Sequence, residues 1–116
     1  MEQGNEIRLE TVDDAVLLNI KGDLTAFSES FLKEAYNNAN DKGANKILLK
    51  FEEDAYINSG GIAVLIQLLS KTKKNNQQIG ITGLSEHFKK IFTMVGITKF
   101  AKIYSSMDEA VKSLSG

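Results

Sequence analysis

With 116 residues, 42% of them hydrophobic and 25% charged, the chain is long enough for one domain with one substantial core. A net charge of −1 argues against a dedicated nucleic-acid binder, which would normally carry a basic surplus, and the lack of cysteine excludes disulfides, thiolate metal sites and cysteine nucleophiles. Acidic Glu2 and Glu6 stand where a signal peptide would be basic and then apolar, and no apolar run nears the roughly 20 residues that span a bilayer, so a cytoplasmic protein without direct membrane insertion is expected.

Residues 1–5 are polar and expected to fray, as are residues 115–116. Glu6-Ile7-Arg8-Leu9-Glu10 alternates strictly, the pattern of a strand with one wet face. Asp13-Asp14 supplies a turn, and Val16, Leu18 and Ile20 line one face of a second strand, where apolar Leu17 implies deeper burial than in the first. The pair reads as a hairpin at one end of a sheet. Gly22-Asp23-Leu24-Thr25 breaks the strand. The helix that follows is expected to turn Phe27, Phe31, Leu32, Ala35 and Ala39 inward, with Gly43 where a helix-ending glycine belongs. Ile47-Leu48-Leu49 is a continuous apolar run, as in a strand covered on both faces.

Glu52-Glu53-Asp54 forms a loop leading into Tyr56-Ile57-Asn58-Ser59-Gly60-Gly61-Ile62-Ala63-Val64-Leu65-Ile66, the stretch around which the chain is organised. Asn58 or Ser59 can cap a helix by accepting a hydrogen bond from a free N–H of its first turn. Ile62, Leu65, Ile66 and Leu69 recur at helical spacing, with Val64 and Leu68 widening the stripe. Two glycines at the helix start cost about 2 kcal/mol relative to alanine. Either the first turn packs tightly against sheet or loop, or an outside group must approach the backbone there. A bare tip, with partial positive charge and unpaired N–H groups, suits an anion or a polar partner group. Lys71, Lys73 and Lys74 complement the helix C-terminus, and Asn75-Asn76 turns the chain.

Ile79 and Ile81 mark a strand closed by Gly83. Ser85 can cap a third helix carrying Phe88, Ile91, Phe92 and Val95, ended by Gly96 with apolar Ile97. Residues 100–104 read as a last short strand. Ser106-Met107-Asp108-Glu109 reads as a capping box that opens a final helix with Ala110, Val111 and Leu114. The order ββαβαβαβα predicts an α/β fold. Its mixed sheet is mostly parallel after the N-terminal hairpin and is packed with about four helices, in a single domain over residues 1–116.

Neither G-x-x-x-x-G-K-[ST] nor G-x-G-x-x-G occurs. His87, the only histidine, reads as a surface residue near a helix start, because no partner motif accompanies it. Glu52, Glu53 and Asp54 are adjacent and do not converge easily on a cation, so a solvated acidic loop is expected, with no metal or cofactor. Phe88, Phe92 and Met94 read as core. No nucleophile, base and orienting group assemble, so a non-enzymatic role is expected. In open α/β sheets, ligands and partners gather beyond the carboxyl ends of the strands. Residues 52–62 and 22–25 both lie at that rim, which points to a recognition surface.

At these residues the chain resembles a STAS domain of the bacterial anti-sigma factor antagonist family. The likeness covers nearly the whole chain. It runs through Gly22-Asp23-Leu24-Thr25, Ile47-Leu48-Leu49, residues 57–66, Ile91-Phe92-Thr93-Met94-Val95-Gly96-Ile97 and Ser106-Met107-Asp108-Glu109-Ala110. The resemblance implies partner switching, in which the domain binds a kinase-type anti-sigma factor and so releases a sigma factor. In the family the kinase phosphorylates a Ser or Thr in an Asp-Ser-Ser/Thr-Gly signature at the tip of the second helix. The added dianion breaks the complex because it must be desolvated and meets like charges, and a phosphatase resets it.

Laid on that signature, Asn58 replaces the Asp, Ser59 matches the first Ser, Gly60 replaces the phosphoacceptor, and Gly61 and Ile62 match again. Thr25 stands where many members carry an Asp. A one-residue shift would make Ser59 the acceptor but put Gly61 where an apolar helix residue belongs. The resemblance thus implies that binding carries over while the phosphoswitch does not carry over at Gly60, with Ser59 the one hydroxyl in the signature open to phosphorylation. The partner, an anti-sigma factor or serine/threonine kinase-type ATPase, is expected on Asn58, Ser59, Gly60, Gly61 and Ile62, extending to Asp23 and Thr25. With bare glycine backbone at that contact, Gly60→Glu is expected to weaken binding and leave the fold intact. The alternative role is an adaptor subunit of a sensory assembly or of a lipid-transport ATPase complex. The partner's identity, the signal and the oligomeric state stay open.

Overall fold

A hairpin of β1 (Glu6–Val12) and β2 (Ala15–Lys21) opens the sheet, as the alternation predicts. The strands pair antiparallel from Glu6 with Lys21 to Val12 with Ala15, and Asp13 takes a positive φ at the turn. The computed structural model describes residues 5–115, apart from the Ser115 side chain. The fraying expected at residues 1–4 and 116 lies outside the described residues. Asn5 is tied to the chain, its amide donating to the carbonyls of Lys21 at 3.0 Å and Asp23 at 2.9 Å.

After the hairpin come α1 (Glu29–Asp41), β3 (Lys46–Lys50), α2 (Ser59–Lys74), β4 (Gln78–Thr82), α3 (Glu86–Met94), β5 (Lys102–Ile103) and α4 (Met107–Ser115). The five strands lie side by side in chain order, with β2 to β5 parallel. Crossovers of one hand, laid down in one direction across a sheet, put every crossover helix on the same face. The larger core accordingly lies under α1, α2 and α3. It joins Val16, Leu18 and Ile20 to Leu49, Ile81, Leu65 and Phe92. The opposite face would be bare, and α4 covers it with Ala110 and Leu114 packed on Ala15, Leu17, Leu48 and Tyr104. Burial on both sides explains the unbroken apolar run of β3. Tyr104 lies so close over Gly80 that a Cβ there would meet its ring at 2.7 Å.

Several expectations of burial are corrected. Phe27 is 72% exposed and Phe31 is 40% exposed. The chain enters α1 through a 3₁₀ turn over Ala26–Ser28 capped by Thr25, and the buried stripe that follows is Leu32, Ala35, Tyr36 and Ala39. Phe27 and Phe31 fall one row beside it. Met94, expected in the core, is 83% exposed, and Val95 is 45% exposed. Phe88 and Phe92 define the buried side of α3, Met94 is its last residue, and Val95 lies past its end. On α2 the buried row is Gly61, Val64, Leu65, Leu68, Leu69 and Thr72, and Ile62 and Ile66 sit at its half-exposed margin. The last strand is two residues rather than five, because a 3₁₀ turn over Ile97–Lys99 occupies the preceding chain.

Candidate functional site

Two loops meet beyond the carboxyl ends of β2 and β3. Leu24 forms a single parallel bridge with Ile57. The Leu24 N–H donates to the Tyr56 carbonyl at 2.9 Å, and the Asn58 N–H donates to the Leu24 carbonyl at 3.1 Å. Two carboxylates lace the loops together. Asp23 Oδ1 accepts from the Tyr56 N–H at 2.9 Å, and Glu52 Oε1 accepts from the Gly22 N–H at 3.0 Å. Glu52, Glu53 and Asp54 are all exposed, as a solvated acidic loop implies, and Glu52 in addition braces the neighbouring loop. No cluster of metal-ligating side chains occurs among the described residues. His87 is exposed, its ring lying edge-on to Phe88 at 5.0 Å.

Of the two candidate caps, Asn58 takes the role, its Oδ1 accepting from the Gly61 N–H at 2.9 Å. Thr25 caps its own turn. Its Oγ1 accepts from the Phe27 N–H at 3.1 Å, and its N–H donates to Ser28 Oγ at 3.0 Å. Asp23 and Thr25 thus shape the loop that crosses the start of α2.

That crossing decides between the two explanations for the glycine pair. A Cβ on Gly61 would stand 2.5 Å from the Leu24 oxygen, and one on Gly60 would stand 2.9 Å from the Ala26 nitrogen and 3.1 Å from the Ala26 Cβ. The glycines admit the chain's own loop at van der Waals distance. Gly61 is buried and contributes no surface, Gly60 and Ile62 are half-buried, and only Ser59 in the first turn is exposed. The expectation of bare glycine backbone is therefore corrected, and with it the expectation that Gly60→Glu would spare the fold.

The exposed part of the tip is Ser59, and the two adjoining loops carry exposed aromatic side chains that the sequence reading left out of the site. Phe27 follows Ala26, which packs on Gly60. Tyr56 is 60% exposed, with its ring edge-on to Phe88 at 5.9 Å. The signal for Phe27 was present in Thr25 and Ser28, a cap pair that places Phe27 in the first turn, ahead of the buried stripe. Asp23, Glu52, Glu53 and Asp54 are exposed on the surrounding rim, where Glu52 and Glu53 share a groove with Lys21, Lys50 and Lys89. The geometry offers a small, braced contact surface of mixed charge with exposed aromatic side chains.

Comparison with known proteins bears on the fold and the family. A candidate anti-sigma factor antagonist of Thermotoga neapolitana is 23% identical over 106 residues, covering 90% of this chain and 94% of its own. The anti-sigma-B factor antagonist of Staphylococcus aureus is 22% identical over 91 residues, covering 78% and 84%. The crystal structure of a candidate anti-sigma factor antagonist from Thermotoga maritima superposes with a TM-score of 0.81 at 21% identity, covering 95% of each chain. The family model for the STAS domain matches residues 6–110. With that match over most of its length, on the sheet and helices described above, the chain belongs to the STAS domain family.

Proposed function

We propose that this protein is a non-enzymatic binding module that acts as an anti-sigma factor antagonist, docking a kinase-type anti-sigma factor on the tip of α2. One observation carries the reading. On a domain of this family, an exposed Ser59 stands at the first position of α2 between two loops braced by Asp23 and Glu52. Rigid bracing lowers the ordering cost of binding. Phe27 and Tyr56, both mostly exposed, have the size and the few rotatable bonds of interface anchors. The rim carries both signs, so a fitting partner face pairs charges of either sign around an apolar centre.

Gly60 supports a second reading. With no hydroxyl at the position that the family phosphorylates, the chain would bind without the usual switch, and such a constant contact also suits an adaptor in a sensory assembly or beside a transport ATPase. Affinity capture on the immobilised full chain, from lysate of its own source, with and without ATP, separates the two. Recovery of a kinase-type ATPase that in turn binds a sigma factor supports the first reading. Recovery of a transport ATPase or of sensory-assembly subunits replaces it with the second.

A further inference from the structure

The two open edges of the sheet carry opposite charge. Residues 1–58 contain twelve acidic and six basic side chains, a net −6, and residues 59–116 contain three and eight, a net +5. Strand order equals chain order, so this division along the sequence becomes a division in space. The acidic half lies toward β1 and the basic half toward β5. Between Asp54 and Asp108 the chain has seven lysines and a single acid, Glu86.

At the β5 edge, Lys89, Lys99 and Lys102 line one groove of about 590 Å³ together with Phe100 and Ile103. Lys73 adds a fourth cation, its Nζ 5.7 Å from the centre of the Phe100 ring. Of the four, only Lys89 has a carboxylate partner among the described residues, Glu86 at 3.5 Å. At the β1 edge, Glu6 and Glu34 line a groove of about 260 Å³ with Ile7, Leu9 and the part-exposed Phe31. The β5 groove thus combines lysines with apolar side chains and the β1 groove combines carboxylates with apolar side chains, Glu6 also pairing with Arg8 of its own strand at 3.0 Å, and each edge strand leaves one side of its backbone without a neighbouring strand.

We propose that these edges are the two halves of one self-association surface, the basic β5 face of one copy docking on the acidic face of β1 and α1 of a second copy. The contact is heterologous, one patch against a different patch. Opposite sign draws the two faces together. The total charge of −1 leaves almost no net repulsion between copies. A polyanion such as nucleic acid or an anionic membrane would engage the basic face alone and leave the acidic face at the opposite edge without a partner. A second copy presents both signs in the matching arrangement.

Exposed charges are screened as salt rises, the Debye length falling from about 30 Å at 0.01 M to about 3 Å at 1 M. Sedimentation velocity of the full chain should therefore show mass rising with concentration at low salt and returning to the monomer at high salt. Lys99→Glu with Lys102→Glu, and separately Glu6→Lys with Glu34→Lys, should each weaken self-association by at least about tenfold. An equimolar mixture of the two variants should restore association, which also shows that both fold. The proposal is overturned by a parent chain that stays monomeric at every salt, or by association that neither variant affects. It is equally overturned by a monomer that binds phosphatidylserine vesicles through the same lysines.

Discussion

The carbonyl oxygen of Leu24 lies 2.5 Å from the point where a Cβ on Gly61 would stand. The same oxygen accepts the Asn58 N–H at 3.1 Å, so it cannot move aside without breaking the bridge between the two loops. Gly61→Ala would gain about 1 kcal/mol in helix preference and would have to displace backbone, for which overpacking costs of about 1–3 kcal/mol are usual. A net loss of up to about 2 kcal/mol is expected in a urea titration. Gly60→Ala meets Ala26 less closely and should stay within about 1 kcal/mol of the parent. Equal stability of the two variants would refute the close crossing.

Asn58→Ala removes the cap on the Gly61 N–H. A loss of about 0.5–2 kcal/mol is expected, together with faster hydrogen exchange at Gly61. Unchanged exchange there would mean that the side-chain bond contributes nothing to the start of α2.

Phe27 and Leu65 form a contrasting pair. Phe27 is 72% exposed and Leu65 is fully buried. Leu65→Ala should destabilise by about 2–5 kcal/mol. Phe27→Ala should leave the melting temperature unchanged and weaken binding of the captured partner at least tenfold, about 1.4 kcal/mol. If Phe27→Ala binds like the parent, the partner does not use this side of the tip. Gly60→Glu is the poorer probe, because its bulk would strike Ala26 and confound folding with binding.

Ser59 is the only hydroxyl in the signature segment. Incubation with the captured kinase and ATP, followed by phosphosite mapping, is expected to find no stoichiometric phosphate on Ser59. Full modification there would show that the switch survives one position early.

Lys46 Nζ donates to Asp14 Oδ2 at 2.9 Å, and that bond holds the Asp14 carboxyl below the ordinary aspartate range. A carboxyl whose pKa falls on folding contributes stability above its unfolded value and loses it as pH drops through the folded value. The contribution should therefore vanish only on the acid side. An NMR titration of Asp14 should give a lowered midpoint that returns to the ordinary value in Lys46→Met. No change in that variant would assign the shift to another cause.

The sequence by itself determined the order of elements, the sheet class, the Asn58 or Ser59 cap and the glycine that ends α1, because each rests on local periodicity or local backbone geometry. It also placed the two loops at one rim, since parallel crossovers bring the carboxyl ends of successive strands together. Local spacing could not tell that Leu24 lies across Gly61, because the two belong to loops that follow different strands and meet only when β2 and β3 pair. Nor could it turn Phe27 and Met94 outward. Both fit an apolar stripe by composition, and the phase of that stripe was set by a 3₁₀ turn before α1 and by the early end of α3. The tertiary structure alone converted the division of charge along the chain into two opposite edges, because a sheet whose spatial order matches its chain order sets its first and last strands at opposite edges.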